Sequence, residues 1–275
     1  IFNQTEKSIT AAQMVLAGAE TMSAGPLSED AAELGMEAQA VIDGLTATTR
    51  LNGELLAEIV GTNLAVWDDR LSIATKEGSI VTLPLGGGET TTVPSPNGEI
   101  ITATTSLDES ANMVVLTNAP AAYQMSQAAG PLTFITPREG SWNKGVALAS
   151  FFDTLYVLSP SDNQIWKYPV ANGQYASAEA YATDGATVDR GIDLAIDGSV
   201  YVLMDSGEIV KFIKGKRVEF RVRDIPKPGD GLTNPRQIEA MGDALYVLAD
   251  NRIVKFATDG HFATQFRPED ILTIV

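Results

Sequence analysis

Five copies of one two-strand pattern recur along most of this 275-residue chain. The clearest copies are "TLYVLSPSDNQIWKY" (residues 154–168), "SVYVLMDSGEIVKF" (199–212) and "ALYVLADNRIVKF" (244–256). Weaker copies are "RLSIATKEGSIVTL" (70–83) and "NMVVLTNAPAAYQM" (112–125). Their first apolar positions lie about 42 to 45 residues apart, and a constant period of this length is typical of a repeat architecture.

Each repeat holds four short strands. Within a copy, two apolar runs flank a turn such as Asp205-Ser206-Gly207, which predicts a β-hairpin. An apolar strand such as "IDLAI" precedes the hairpin, and a polar-alternating strand such as "VEFRVRDI" or "HFATQF" follows it. Four strands in one repeat are the composition of a β-propeller blade. The sequence therefore predicts an all-β propeller with blades near 62–97, 98–145, 146–191, 192–235 and 236–269.

The way in which the ring closes is less regular. Residues 270–275, within "EDILTIV", resemble the inner strand of a sixth blade. We expect either a six-bladed plan with an incomplete last blade or five blades that close irregularly. The segment "GELLAEIV" (53–60) is the predicted donor of the outermost strand, since propellers close by pairing strands from both ends of the chain.

Residues 1–50 have the periodicity of helices, and residues 51–275 form the propeller domain. Apolar stripes at helical spacing predict two helices, and Gly25 and Pro26 separate them, so an antiparallel hairpin or stalk is expected. The two stripes are Ile9, Ala12, Leu16 and Ala19, and then Ala31, Leu34, Ala38, Val41 and Leu45. Nine acidic residues oppose Lys7 and Arg50 in residues 1–60, so the hairpin is strongly acidic.

The repeat resembles the NHL/YVTN class of propeller repeats. The stretch "LYVLADNRIVKFATDGHFATQF" (245–266) carries the likeness most clearly, with turns at Asp250-Asn251 and Asp259-Gly260. The resemblance implies a propeller of the six-bladed TolB-like class, and it implies no particular activity because such folds serve many functions. The arrangement is also similar to that of uncharacterised bacterial envelope proteins. That similarity predicts a cell-envelope or extracellular location, with membrane contact only through a segment before Ile1.

Composition excludes several classes of function. The net charge of −16 disfavours binding to nucleic acid, and the absence of cysteine excludes disulfides and thiolate metal sites. His261 is the only histidine, so imidazole-based catalysis would rest on one residue beside a turn. Four acids, Asp69, Asp153, Asp197 and Asp243, precede the second strand of their blades. This recurrence indicates a turn requirement, although such a turn could bind Ca²⁺; no other cofactor is predicted.

The most unusual local feature is a basic segment. Residues 211–227 carry seven of the 19 basic residues, and only Glu219 and Asp224 oppose them within the segment. The candidate binding residues are Lys211, Lys214, Lys216, Arg217, Arg221 and Arg223, with Lys227 beyond them. Strand parity would place Arg217, Arg221 and Arg223 on one face, either as solvated charges that protect a sheet edge or as a docking site for an anionic partner.

These observations favour a non-enzymatic binding or scaffolding propeller, displayed on the cell envelope, that engages a protein or an anionic polymer. Two alternatives stay open from the sequence. One is a metal-dependent propeller hydrolase or lyase, and the other is a structural subunit of a larger surface assembly.

Overall fold

A computed structural model describes residues 2–22, 28–53, 55–107, 112–127, 130–226 and 231–269. Helices α1 (Phe2–Thr21) and α2 (Ser28–Leu45) come first, and a series of short strands follows. The predicted fold class, a β-propeller of five four-stranded blades preceded by a helical hairpin, is confirmed. None of the described helices is both long enough and apolar enough to cross a lipid bilayer.

The blades follow one another along the chain, and each is an antiparallel sheet. Blade 1 contains β2 (Gly61–Trp67), β3 (Arg70–Thr75), β4 (Ser79–Pro84) and β5 (Thr91–Pro94), and blade 2 contains β6 (Ile101–Ser106), β7 (Met113–Thr117), β8 (Ala122–Met125) and β9 (Thr133–Ile135). Blade 3 contains β10 (Ala147–Phe151), β11 (Thr154–Ser159), β12 (Gln164–Tyr168) and β15 (Glu179–Ala180), with a small hairpin of β13 (Val170–Ala171) and β14 (Gln174–Tyr175). Blade 4 contains β16 (Gly191–Ile196), β17 (Val200–Met204), β18 (Ile209–Ile213) and β19 (Lys216–Val218), and blade 5 contains β20 (Pro235–Met241), β21 (Ala244–Ala249), β22 (Arg252–Ala257) and β23 (Phe262–Pro268).

The core lies between the blades. Side chains alternate along a strand, so each sheet offers apolar residues to both of its neighbours. In blade 4, Tyr201 and Leu203 are buried against blade 5, while Val202 on the opposite face is buried against blade 3. Clusters of this kind join blades 1 and 2, 2 and 3, 3 and 4, and 4 and 5. In the described part of the chain, no equivalent cluster joins blade 5 to blade 1.

Among the described residues, one sheet face of blade 5 and one of blade 1 therefore take part in no such cluster, and we call these two faces the open seam. Blade 4 packs on the next blade through Tyr201, Leu203 and Ile209, and blade 5 carries the same residue types at the same positions, namely Tyr246, Leu248 and Ile253. On blade 1 the seam exposes Leu64 and Val66 of the inner strand. Neighbouring inner strands lie side by side elsewhere, but among the described residues β20 and β2 do not.

The N-terminal part of the chain is attached to the last blade. Strand β1 (Thr48–Leu51) pairs in parallel with β23 and gives the fifth sheet an extra edge strand. The predicted donor, residues 53–60, is wrong, because the described residues of that segment form no strand and the edge of β23 is already occupied by Thr48–Leu51. The predicted inner strand of a sixth blade, residues 270–275, lies outside the described residues.

The predicted helical hairpin is present, and three of the four residues in the stripe of the first helix are buried. Ile9, Ala12 and Ala19 of the predicted stripe are buried against α2. Glu29 and Asp30 lie in the first turn of α2, where acidic side chains interact favourably with the helix dipole. Arg50 in β1 forms an ion pair with Asp43 at the end of α2, with 2.6 Å between Nε and Oδ2. This pair links the helices to the blade-5 sheet.

Candidate binding site

Three of the acids that recur before the second strands have structural roles in the turns between strands. Asp69 and Asp153 have left-handed backbones, with φ of 55° and 57°, as tight hairpin turns require. Asp197 accepts hydrogen bonds from the Ser199 amide at 2.9 Å and from the Tyr201 hydroxyl at 3.0 Å. Across the described ranges, no three His, Cys, Asp or Glu side chains converge in the way that a metal ion needs.

His261 lies in the turn between β22 and β23, on the outer half of blade 5. Its Nδ1 is 2.8 Å from Oδ2 of Asp224, and its side chain is half exposed. Its amide donates a hydrogen bond to Asp259, which helps to hold the pKa of that carboxyl below its usual value. The structure therefore places the sole histidine at the rim of the ring, away from the inner strands.

The basic segment is not the continuous strand that its alternation predicted. Strand β19 ends at Val218, and beyond it the chain crosses towards blade 5, where Arg223 forms an isolated parallel bridge with His261. Phe220 and Val222 pack into the core between blades 4 and 5. These two apolar side chains are the reason for the departure, because reaching the neighbouring blade takes the backbone away from the edge of β18. The alternation of inward apolar and outward charged residues is nevertheless as expected.

A shallow groove of about 720 Å³ follows this crossing segment. Arg217 and Arg221 line it together with Glu208 and Glu219, and Phe220 forms part of its floor. The groove thus brings together two of the six predicted binding residues. Lys214, Lys216 and Arg223 are exposed but do not line it.

The six candidate cations differ in how far they are neutralised. Arg217 forms an ion pair with Glu208 at 2.9 Å, and the Arg223 guanidinium donates to the carbonyl of Asp259 at 3.3 Å. Lys211 donates to the carbonyl of Thr258 and stacks over the Tyr201 ring, so it is a structural residue. The side chains of Lys214, Lys216 and Arg221 have no hydrogen-bond or ion-pair partner among the residues that the structure describes. These three charges are available to a partner.

Acids from other segments approach the same surface. The amide of Arg217 donates to Asp184 at 2.5 Å, and this contact is the main reason that the pKa of Asp184 is lowered. Sequence reasoning could not find this neighbour, because Asp184 belongs to the preceding blade and lies 33 residues earlier. The surface is therefore a mixed one, with free cations beside anchored carboxylates.

Asp193 is a half-buried acid that sequence reasoning missed. It lies on the inner strand β16 and accepts a hydrogen bond from the Ile238 amide of the next inner strand at 2.8 Å. Burial raises the pKa of Asp193 to about 7, and Glu239 adds to the rise, whereas bonds from the Ile238 and Leu194 amides oppose it. The signal in the sequence was a single carboxylate within the otherwise apolar "GIDLAI".

No known protein-family model matches this chain, and no curated protein sequence matches it. Several solved structures have a similar fold. A chain of the nidogen/laminin complex superposes with a TM-score of 0.56 at 16% identity, covering 75% of this chain and 80% of that one. The likeness shows a β-propeller fold.

Two lyase structures also superpose. A catalytically inactive virginiamycin B lyase from Staphylococcus aureus with quinupristin gives a TM-score of 0.52 at 16% identity, over 81% of this chain and 74% of that one. A streptogramin B lyase gives 0.50 at 17% identity, over 75% of this chain and 68% of that one. At these identities the similarity shows the fold alone.

Proposed function

We propose that this protein is a non-enzymatic binding or scaffolding propeller that engages an anionic protein or polymer at the groove beside Arg217 and Arg221. Its repeats are of the NHL/YVTN type, and a six-bladed plan and display on the cell envelope belong to the same proposal. The observation that carries the binding role is a set of three cations, Lys214, Lys216 and Arg221, which have no partner among the described residues and lie at and beside the groove.

Two further points support this proposal. The chain of the nidogen/laminin complex, a protein–protein complex, has a similar fold. The overall charge of −16 repels anions in general, so a local set of cations would be the part of the surface that selects an anionic partner and steers it into the groove.

Charge reversal tests the proposal with defined anionic probes. The triple variant Lys216→Glu, Arg217→Glu, Arg221→Glu is compared with Lys76→Glu, Arg138→Glu, Lys144→Glu, which changes exposed residues of blades 1 to 3 by the same total charge. We expect poly-glutamate or heparin to bind the unaltered protein and the control, and to bind the groove variant about tenfold more weakly at about 100 mM salt.

The proposal is wrong if neither probe binds the unaltered protein, or if both triple variants lose binding equally. Equal loss would mean that the probes respond to total charge and not to the groove.

A further inference from the structure

The contact between α1 and α2 buries small side chains and leaves larger ones outside. Ala12 and Ala19 of α1 and Ala31 and Ala38 of α2 are buried, and Ile9 is the one large apolar residue that is buried among the described side chains of the hairpin. A Cβ added at Gly35 would lie 3.4 Å from the Cβ of Ala19, so the two helices approach closely there. Alanine buries little apolar area, and helices of this length are marginally stable without further packing.

A second apolar stripe runs along the hairpin and has no cover among the described residues. It consists of Val15 on α1, Met22 directly after the end of α1, and Leu34, Val41 and Leu45 on α2, and the exposures of these five residues range from 37% to 49%. Leu34, Val41 and Leu45 belong to the apolar stripe from which the sequence predicted the second helix. Thirteen of the 21 large apolar residues that are exposed in the described ranges fall within residues 14–66, so this excess is local.

Both halves of the stripe emerge on the same side of the hairpin. At 100° per residue, each half is rotated by roughly 80° from the contact stripe of its own helix, in the same sense. The six residues that join the helices span at most about 20 Å, less than the roughly 30 Å length of α1, so the helices are antiparallel. When two helices are antiparallel, side chains that are rotated by the same angle and in the same sense from the contact between the helices lie on the same side of the pair. The two half-stripes therefore line one continuous groove between the helices.

The charge of the hairpin selects among the occupants of this groove. Residues 2–45 contain seven acids, Glu6, Glu20, Glu29, Asp30, Glu33, Glu37 and Asp43, against Lys7 alone. A second copy of the hairpin would bring a like charge into contact, and an anionic lipid surface would be repelled. A basic partner would gain both apolar burial and charge attraction.

We propose that this hairpin groove, lined by Val15, Met22, Leu34, Val41 and Leu45, binds an amphipathic helix of a partner protein with Lys and Arg beside its apolar face. The partner helix would complete a three-helix bundle, with apolar anchors at i, i+3 or i+4, and i+7. This inference rests on the proposed binding role and assigns to it a second surface, distinct from the groove at Arg217.

Peptide binding tests the proposal. A labelled amphipathic Leu/Lys peptide of about 20 residues and its Leu/Glu counterpart are titrated by fluorescence anisotropy at about 150 mM salt. The double variant Leu34→Gln, Val41→Gln is compared with Met14→Gln, Met36→Gln, which changes two residues that are 71% and 67% exposed away from the groove. Both doubles keep the net charge, and circular dichroism checks that both keep their helices.

We expect the Leu/Lys peptide to bind and the Leu/Glu peptide not to bind. Leu34→Gln, Val41→Gln should weaken binding by about tenfold or more, and the control double should not. Equal weakening by both doubles, or no binding of the Leu/Lys peptide, would overturn the proposal. So would a dimer in light scattering that only Leu34→Gln, Val41→Gln abolishes, since the occupant would then be a second copy.

The charge-reversed groove variant separates the two hypotheses. Lys216→Glu, Arg217→Glu, Arg221→Glu should leave the binding of the Leu/Lys peptide unchanged, because those residues lie in blade 4 and the segment after it, away from the helices. Loss of peptide binding in this variant would contradict the assignment to the hairpin groove.

Discussion

Replacement of Leu203 and of Leu248 by alanine, one at a time, tests whether the ring is open between blades 5 and 1. The two leucines occupy the same position in their blades, since Leu203 pairs with Ile209 and Leu248 pairs with Ile253. Leu203 is fully buried against blade 5, whereas Leu248 lies on the open seam and keeps some solvent exposure. The pair therefore differs chiefly in whether a neighbouring blade covers the side chain.

The structure gives the size of the expected difference. Leu203→Ala opens a cavity between two packed sheets, which lowers the free energy of unfolding by about 3 to 5 kcal/mol. Leu248→Ala removes an incompletely covered side chain and leaves no enclosed cavity, so we expect a loss below about 1.5 kcal/mol. The change in strand propensity is the same at both sites and cancels in the comparison. The two variants should differ by about 2 kcal/mol, or roughly thirtyfold in the unfolding equilibrium.

Urea unfolding measures both variants against the unaltered protein. Fluorescence of the three tryptophans and far-UV circular dichroism must give coincident transitions, because repeat structures can lose cooperativity. Equal losses from the two substitutions would refute the open seam. Such a result would mean that another part of the protein covers the seam face of blade 5 as fully as blade 5 covers blade 4.

Two further predictions concern single residues. Asp193→Asn should remove a pH dependence of stability. Because the pKa of Asp193 is raised, the folded state binds an extra proton, and the stability of the unaltered protein falls as the pH rises from about 4 to about 7. The stability of the variant should change less over that window, and at pH 8 the variant should be more stable than the unaltered protein by at most about 4 kcal/mol. Urea midpoints measured across this pH range check it, and parallel curves for the two proteins would contradict it. Gly207→Ala should lower stability by more than about 1 kcal/mol, because φ is 86° and an added Cβ would strike the Leu232 carbonyl oxygen. Gly44→Ala, in α2 with open space around it, is the control that thermal unfolding should show to be neutral or stabilising.

The repeat predicted the blades because strand alternation and turn chemistry are local properties. The alternation in "SVYVLMDSGEIVKF" places Tyr201 and Val202 on opposite faces, and the structure buries each against a different neighbour. The same alternation does not predict whether a further sheet packs against the exposed face of a blade. Blade 5 repeats the Tyr, Leu and Ile of blade 4, but among the described residues only the blade-4 set is part of a core cluster, and the repeat alone does not predict this difference.

The errors have a common cause, which is that pairing depends on distant segments. Residues 53–60 are more apolar than Thr48–Leu51, yet the shorter polar strand is the one that pairs with β23. The residues after Val218 alternate like a strand, but Phe220 and Val222 are drawn into the core between two blades. The contacts of Arg217 with Asp184 and Glu208 also depend on the fold, and the sequence did not predict them.

The parallel pairing of β1 with β23 also constrains the order of folding. Thr48 and its partner Gln265 are 217 residues apart, so this contact closes a very long loop and forms late. During synthesis each blade can assemble from local contacts. Strand β1 cannot pair until β23 has been synthesised, and β23 is among the last described strands. The helices can pack on each other early, but they gain a fixed attachment only when blade 5 is complete. A partner that contacts both the helices and blade 5 would therefore bind fully folded molecules in preference to nascent ones.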